Sequence, residues 1–170
     1  MNAEPAALTR LARLRREMDV DRSALEARAA EAQELLGAWS RSGSLPRPEL
    51  IVLAVNLHGY YTALEAIFER VAKLLDEEMP TSPSWHLELI EQMRTAVPGL
   101  RPEILPGSVV EDLQELRKFR HFFRNAYVLE LDPSAVRGHA ERLGRIHPDV
   151  VSHLATFRAH LDGMLDALTR

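Results

Sequence analysis

Residues 47–75 read RPELIVLAVNLHGYYTALEAIFERVAKLL. Leu50, Leu53, Leu57, Tyr61, Leu64, Phe68, Val71 and Leu75 recur in steps that put side chains on one face of an α-helix. Pro48 suits a first turn, where a backbone N–H has no intrahelical partner, and the pattern stops before Pro80. The stretch therefore reads as one helix with a broad apolar stripe, and such a stripe must be covered by other elements.

The flanking sequence supplies them in kind. Upstream, Leu8, Leu11, Leu14, Met18, Leu25, Ala29, Ala32, Leu36 and Trp39 mark a long first helix ending near the linker SRSGSLPRP. Asp21 and Arg22 interrupt that stripe, at a place suited to a kink. Downstream, PTSPSWHLELIEQM offers Ser82 as N-cap and Pro83 as first helical residue, with Trp85, Leu89 and Met93 inward. After the proline-rich loop VPGLRPEILPGS, Ser108 and Glu111 have capping-box spacing. They would open a fourth helix whose core face is Val109, Leu113, Leu116, Phe119 or Phe123, and Ala126. Asp132-Pro133 starts a further helix to about Leu143, and after His147-Pro148 a last helix buries Val151, Leu154, Phe157, Leu161 and Leu165. No segment sustains the period-two alternation of a strand. The expected fold is all-α: an up-and-down antiparallel helical bundle of five to six helices. It forms one domain over residues 1–170, with 1–46 as long N-terminal helix and linker and 47–170 as the core.

A chain of 170 residues can bury one substantial core, and 46% hydrophobic with 27% charged residues is ordinary for a globular domain. Cysteine is absent, which excludes a disulfide framework, a thiolate metal site and a cysteine nucleophile. The first residues, MNAEPAALTRLARLRREMD, are charged throughout and lack the apolar core of a secretory leader. No run approaches the roughly 20 apolar residues of a membrane span. These features lead to the expectation of a cytoplasmic protein with no membrane partner.

Residues 116–132, LRKFRHFFRNAYVLELD, gather Arg117, Lys118, Arg120, His121 and Arg124 in a chain of formal net charge −4. On a helix Arg120, Arg124 and Tyr127 share one face, and Arg117, His121 and Arg124 form an overlapping row. An arginine fork holds a phosphate through two hydrogen bonds, and an imidazole moves a proton near neutral pH. Such a set suits an RNA phosphodiester attacked by its neighbouring 2′-hydroxyl without a metal. The plainer alternative is a solvated basic face pairing with Glu111 and Glu115.

The run FRHFFRNAYVLELD, with GYYTALEAIFERVAKLLDE and SPSWHLELIEQM ahead of it in the same order, resembles the HepT-like branch of the HEPN proteins over roughly Leu50 to Leu161. The resemblance implies a HEPN-like bundle that forms a homodimer or higher homo-oligomer. Two copies of the motif helix would meet in a composite, metal-independent endoribonuclease site that needs no cofactor. It further implies an MNT-type nucleotidyltransferase antitoxin as partner, able to transfer AMP to the motif tyrosine. Arg120 matches the motif arginine and Tyr127 the tyrosine, but Asn125 stands at the histidine position. An amide orients a phosphate oxygen yet is no acid or base near pH 7. Three readings stay open: catalysis through His121 or by weaker chemistry, a natural non-cleaving relative that binds RNA or a protein, and a substitution that silences a toxin. Arg120, Asn125 and His121 are thus the candidate catalytic residues, Arg117, Lys118 and Arg124 the candidate RNA contacts, and Tyr127 either the modification site or a tyrosine packed at the helix end with its hydroxyl in a structural hydrogen bond.

Tyr61 and Glu65 are placed near the motif helix by the same resemblance, with Glu65 a partner for Arg120 or Arg124. The competing reading has Tyr61 in the core and Glu65 exposed. His58 and His86 lack a neighbouring HxxxH, HExxH or Cys partner and read as surface or hydrogen-bonded structural histidines. His153 and His160 share a helix face, but two ligands do not make a zinc site, so no metal is expected. No Gly-rich phosphate loop, GxSxG elbow or dinucleotide fingerprint occurs.

Overall fold

α2 (Arg47–Val71) is the axis of the molecule, and its stripe residues are all buried. The computed structural model describes residues 3–125 and 130–169, in which α1 (Ala3–Ser42), α3 (Trp85–Arg94), α4 (Val110–Asn125) and α5 (Pro133–Leu168) complete the bundle. Apart from an isolated bridge between Val97 and Arg101, the described residues contain no β-structure. The fold is the expected all-helical bundle.

Polar cross-links give the helix directions. Arg28 reaches Asn56 while Arg70 reaches Glu17 and Asp21, so α1 and α2 are antiparallel. Gln33 donates to the Ala140 carbonyl and Arg158 to Asp19, so α5 also runs antiparallel to α1. Arg120 meets Thr62 and Glu65, whereas Phe123 meets His58, which sets α4 antiparallel to α2. α1 runs unbroken through Asp21 because that carboxylate faces a neighbour, Arg70 Nε at 2.6 Å, instead of opposing the stripe.

Three local readings change. The third helix starts at Trp85 with Ser84 as N-cap, and Ser82 Oγ accepts the Ser84 N–H at 3.1 Å from outside the helix. Gly107–Val109 form a 3₁₀ turn ahead of α4, so Ser108 sits inside that turn and not at a capping position. The two last helices are one, with Pro148 inside it. A proline in a helix interior costs about 3 kcal/mol, but Leu143, Ile146, Val150, Leu154 and Phe157 keep one buried stripe across it, and that packing outweighs the penalty. Continuous phase also turns Val150, not Val151, into the core. On α4, Phe119 is buried and Phe123 half-buried; Ala126 lies outside the described residues.

By length and composition the helical stretch Arg47–Asp76 does reach what a membrane span needs, contrary to the reading of the bare sequence. Its polar residues Asn56, Thr62 and Glu65 are answered by Arg28 and Arg120, and over half of its most apolar window is covered by the rest of the bundle. α2 ends in a π turn, Ala72–Asp76, stopped by Glu77 in the left-handed conformation (φ 56°). Beyond that turn Arg101 ties the loop after α3 to Asp76.

Candidate functional site

Glu65 organises the site. It is buried on the face of α2 that meets α4, and a carboxylate there needs partners to offset its lost hydration. His86 Nδ1–H donates to its Oε1 at 2.5 Å and Arg120 donates to its Oε2 at 2.9 Å. Arg120 Nε also donates to Thr62 Oγ1 at 3.1 Å, and its guanidinium lies 5.7 Å from the centre of the Tyr61 ring. Three residues within one turn of α2 therefore fix one side chain of α4. Burial, and after it the charge of Glu65, pushes the Tyr61 phenol well above its usual range, so it stays neutral under the arginine.

The Arg120 side chain is 13% exposed, so one edge of it reaches solvent. Arg124, one turn on, is exposed. Arg117, one turn back, is half-buried beside Tyr61, and its Nε is buried without a hydrogen-bond partner among the described residues. His121 is exposed, about 100° round the helix from Arg120. Lys118 is two residues from Arg120, about 200° away, and pairs with Glu115 at 2.6 Å. It lines a separate groove of about 310 Å³ between α4 and α5 with Phe119, Phe122 and His139. The plainer reading of the basic run thus describes Lys118, while Arg117, Arg120 and Arg124 share the side that faces α2. Asn125 closes α4, and Tyr127 lies outside the described residues.

Two histidines that read from the sequence as surface or hydrogen-bonded structural residues, His58 and His86, belong to this region. His86 stacks on Trp85, ring centres 3.5 Å apart, and holds the far oxygen of Glu65. Nothing in the sequence links residues 65 and 86, which only the return of α3 onto α2 brings together. His58 packs on Phe123 with ring centres 5.2 Å apart. Burial first, then the charges of Arg120 and Arg124, hold its imidazole below the usual histidine range. A signal for His58 did exist: it precedes Tyr61, Thr62 and Glu65 by three, four and seven residues, the spacing of one helix face.

Three further histidines have polar partners elsewhere in the bundle. His147 Nδ1 lies 3.3 Å from the Tyr60 hydroxyl and His160 Nε2 lies 2.8 Å from the Leu100 carbonyl, while His153 Nε2 lies 3.4 Å from Glu103. Among the described residues no group of three or more His, Asp or Glu side chains is placed to hold a metal ion.

No curated protein and no solved structure matches this chain. The model of one family, described as HepT-like protein, matches residues 52–161, which takes in nearly all of α2, the whole of α3 and α4, and α5 as far as Leu161. With its all-helical bundle and an arginine of α4 locked to α2 inside that span, the chain belongs to the HepT-like family.

Proposed function

We propose that this protein is a metal-independent endoribonuclease toxin of the HepT-like type, acting in the cytoplasm as a homodimer. The observation that carries the reading is Arg120, which Glu65, Thr62 and Tyr61 hold in one geometry with an edge in solvent and Arg124 one turn away. A preset arginine stabilises charge that develops on a phosphate without reorganising during the reaction. Arg120 contacts the scissile phosphate, Arg124 and Arg117 add positive charge, and Asn125 donates to a phosphate oxygen while His121 stands at the rim. Exposed Ile51, Val52 and Val55 on α2 support a second copy of the chain as the cover of this side, since neighbouring exposed apolar residues mark association surfaces. An MNT-type nucleotidyltransferase serves as antitoxin, and AMP transferred to Tyr127 adds bulk and negative charge to the motif.

Purified protein is expected to cut single-stranded RNA in the presence of a metal chelator, and Arg120→Ala to abolish cutting. Undiminished cleavage by that variant sinks the assignment. The second reading, favoured by Asn125, is a non-catalytic helical module that holds RNA or a nucleotidyltransferase through the same face. Asn125→His separates the two: a gain of cleavage from an inert parent marks a silenced nuclease, and no gain marks a module.

A further inference from the structure

Asn125 leaves the motif helix without the expected imidazole, and the neighbouring helix brings one beside Phe123 and the two arginines. Thr62 Oγ1 donates to the His58 carbonyl at 2.9 Å and accepts from Arg120 Nε at 3.1 Å, so one hydroxyl joins the two residues. Because α2 and α4 are antiparallel, the turn of α2 before Thr62 lies against the turn of α4 after Arg120. The His58 ring accordingly rests on Phe123, with Arg120 and Arg124 near enough to repel a second positive charge.

We propose that His58 is the proton-transfer residue of this site, an imidazole supplied from α2 in place of the one α4 lacks. The proposal rests on the RNA-cleaving reading above. The neutral ring takes the proton of a ribose 2′-hydroxyl, and the 2′-oxygen bonds to the adjacent phosphorus. The bond from phosphorus to the 5′-oxygen breaks, and the imidazolium returns its proton to that oxygen. The products are a 2′,3′-cyclic phosphate and a 5′-hydroxyl, the ring ends as it began, and Arg120 and Arg124 balance the charge on the non-bridging oxygens.

The surroundings suit a base. Arg120 and Arg124 face His58 from α4, and from α1 Arg28 crosses Gly59, where a Cβ would stand 3.1 Å from the Arg28 Nε. The acid of this face, Glu65, is two turns away and already shared by His86 and Arg120. A ring kept neutral beside two phosphate-binding cations combines the two requirements of a general base here: the right protonation state and the right neighbours. The other imidazoles are differently occupied. His86 Nδ1 holds Glu65, His139 packs on Phe119 on the α5 side of α4, and His147 meets Tyr60 in the core.

The test uses the full chain, a fluorescent single-stranded RNA and a metal chelator, with cleavage and binding measured for the parent, Arg120→Ala, His58→Gln, His58→Ala and His121→Gln. His58→Gln is expected to cut about 100-fold more slowly or worse, to bind RNA within about threefold of the parent, and to lose the acidic limb of the pH–rate profile. Added imidazole should restore part of the cutting by His58→Ala, a rescue that a packing role would not show. His58→Gln cutting within about threefold of the parent overturns the proposal and leaves the nuclease reading standing. So does a loss confined to His121→Gln. A parent that does not cut with His58 intact overturns both, whereas a parent that cuts as well without Arg120 overturns the site assignment on which this proposal rests.

Discussion

Arg101 and Arg120 each pair with a buried carboxylate belonging to the α2 segment, yet their remaining donors go to different places. Arg101 is fully enclosed. Its Nε and one terminal nitrogen grip both oxygens of Asp76 at 2.7 Å, and the other donors go to the carbonyls of Gln92, Thr95 and Pro102. Among the described residues Arg120 is held by side chains, Thr62 and Glu65 with Tyr61 beneath, and keeps an edge in solvent. A guanidinium whose donors all end on the protein has nothing left to bind and serves to close a loop. One fixed on a single side is oriented while remaining accessible, as a phosphate-binding group must be.

The contrast can be broken by experiment. Arg101→Ala strands Asp76 and the carbonyls of the α3 loop and is expected to cost about 3–5 kcal/mol in urea unfolding, the range for losing one partner of a buried pair. An unchanged midpoint would show that Arg101 is not the clamp its contacts describe. Glu65→Ala should cost less, about 2–3 kcal/mol, because both stranded partners, Arg120 and His86, reach water. Arg120→Ala should cost about 1–2 kcal/mol, since Glu65 keeps His86, yet it should lower RNA cleavage about 100-fold or more. Stability and activity thus rank the two arginines in opposite order. Equal ranking in both assays would erase the distinction.

A smaller effect follows acidification. His58, His139 and His147 all sit below the usual histidine range, with burial as the first cause of each. The unfolded chain then takes up protons at a higher pH than the folded chain, so stability is kept above about pH 6.5 and declines as pH falls through that value toward the folded-state values. Urea midpoints at pH 7 and pH 5 measure it, and a higher midpoint at pH 5 would contradict the burial argument. Least of all should Lys118→Ala matter: its exposed pair with Glu115 is worth under about 0.5 kcal/mol, and its place on the far side of α4 predicts RNA binding unchanged. A large loss of RNA affinity would move the interface to the groove between α4 and α5.

Much of this was legible along the chain. The stripe from Leu50 to Leu75 required a central helix, and each of its residues is buried. Pro48, with its missing N–H, and the Asp132-Pro133 pair, whose Asp132 side chain accepts the Ser134 N–H at 3.0 Å, mark helix starts that local chemistry alone dictates. Local chemistry failed at Pro148 and Ser108. There a long-range stripe and a 3₁₀ turn prevailed over propensities of a few kcal/mol.

The basic run divides along the same line. Periodicity alone could say that Arg117, Arg120 and Arg124 lie on one side of a helix and Lys118 nearly opposite. The resemblance offered Glu65 as partner for Arg120 or Arg124, but spacing could neither choose between them nor add His86, because Glu65, His86 and Arg120 come from three helices 21 and 34 residues apart. The sequence by itself determined the helices, their order and the chemical types gathered on them, since those depend on residues within a few turns of each other. Only the tertiary structure decided which arginine is buried for stability, which keeps an edge in solvent, and that a histidine of α2 stands beside it, because these depend on distances between elements that no spacing encodes.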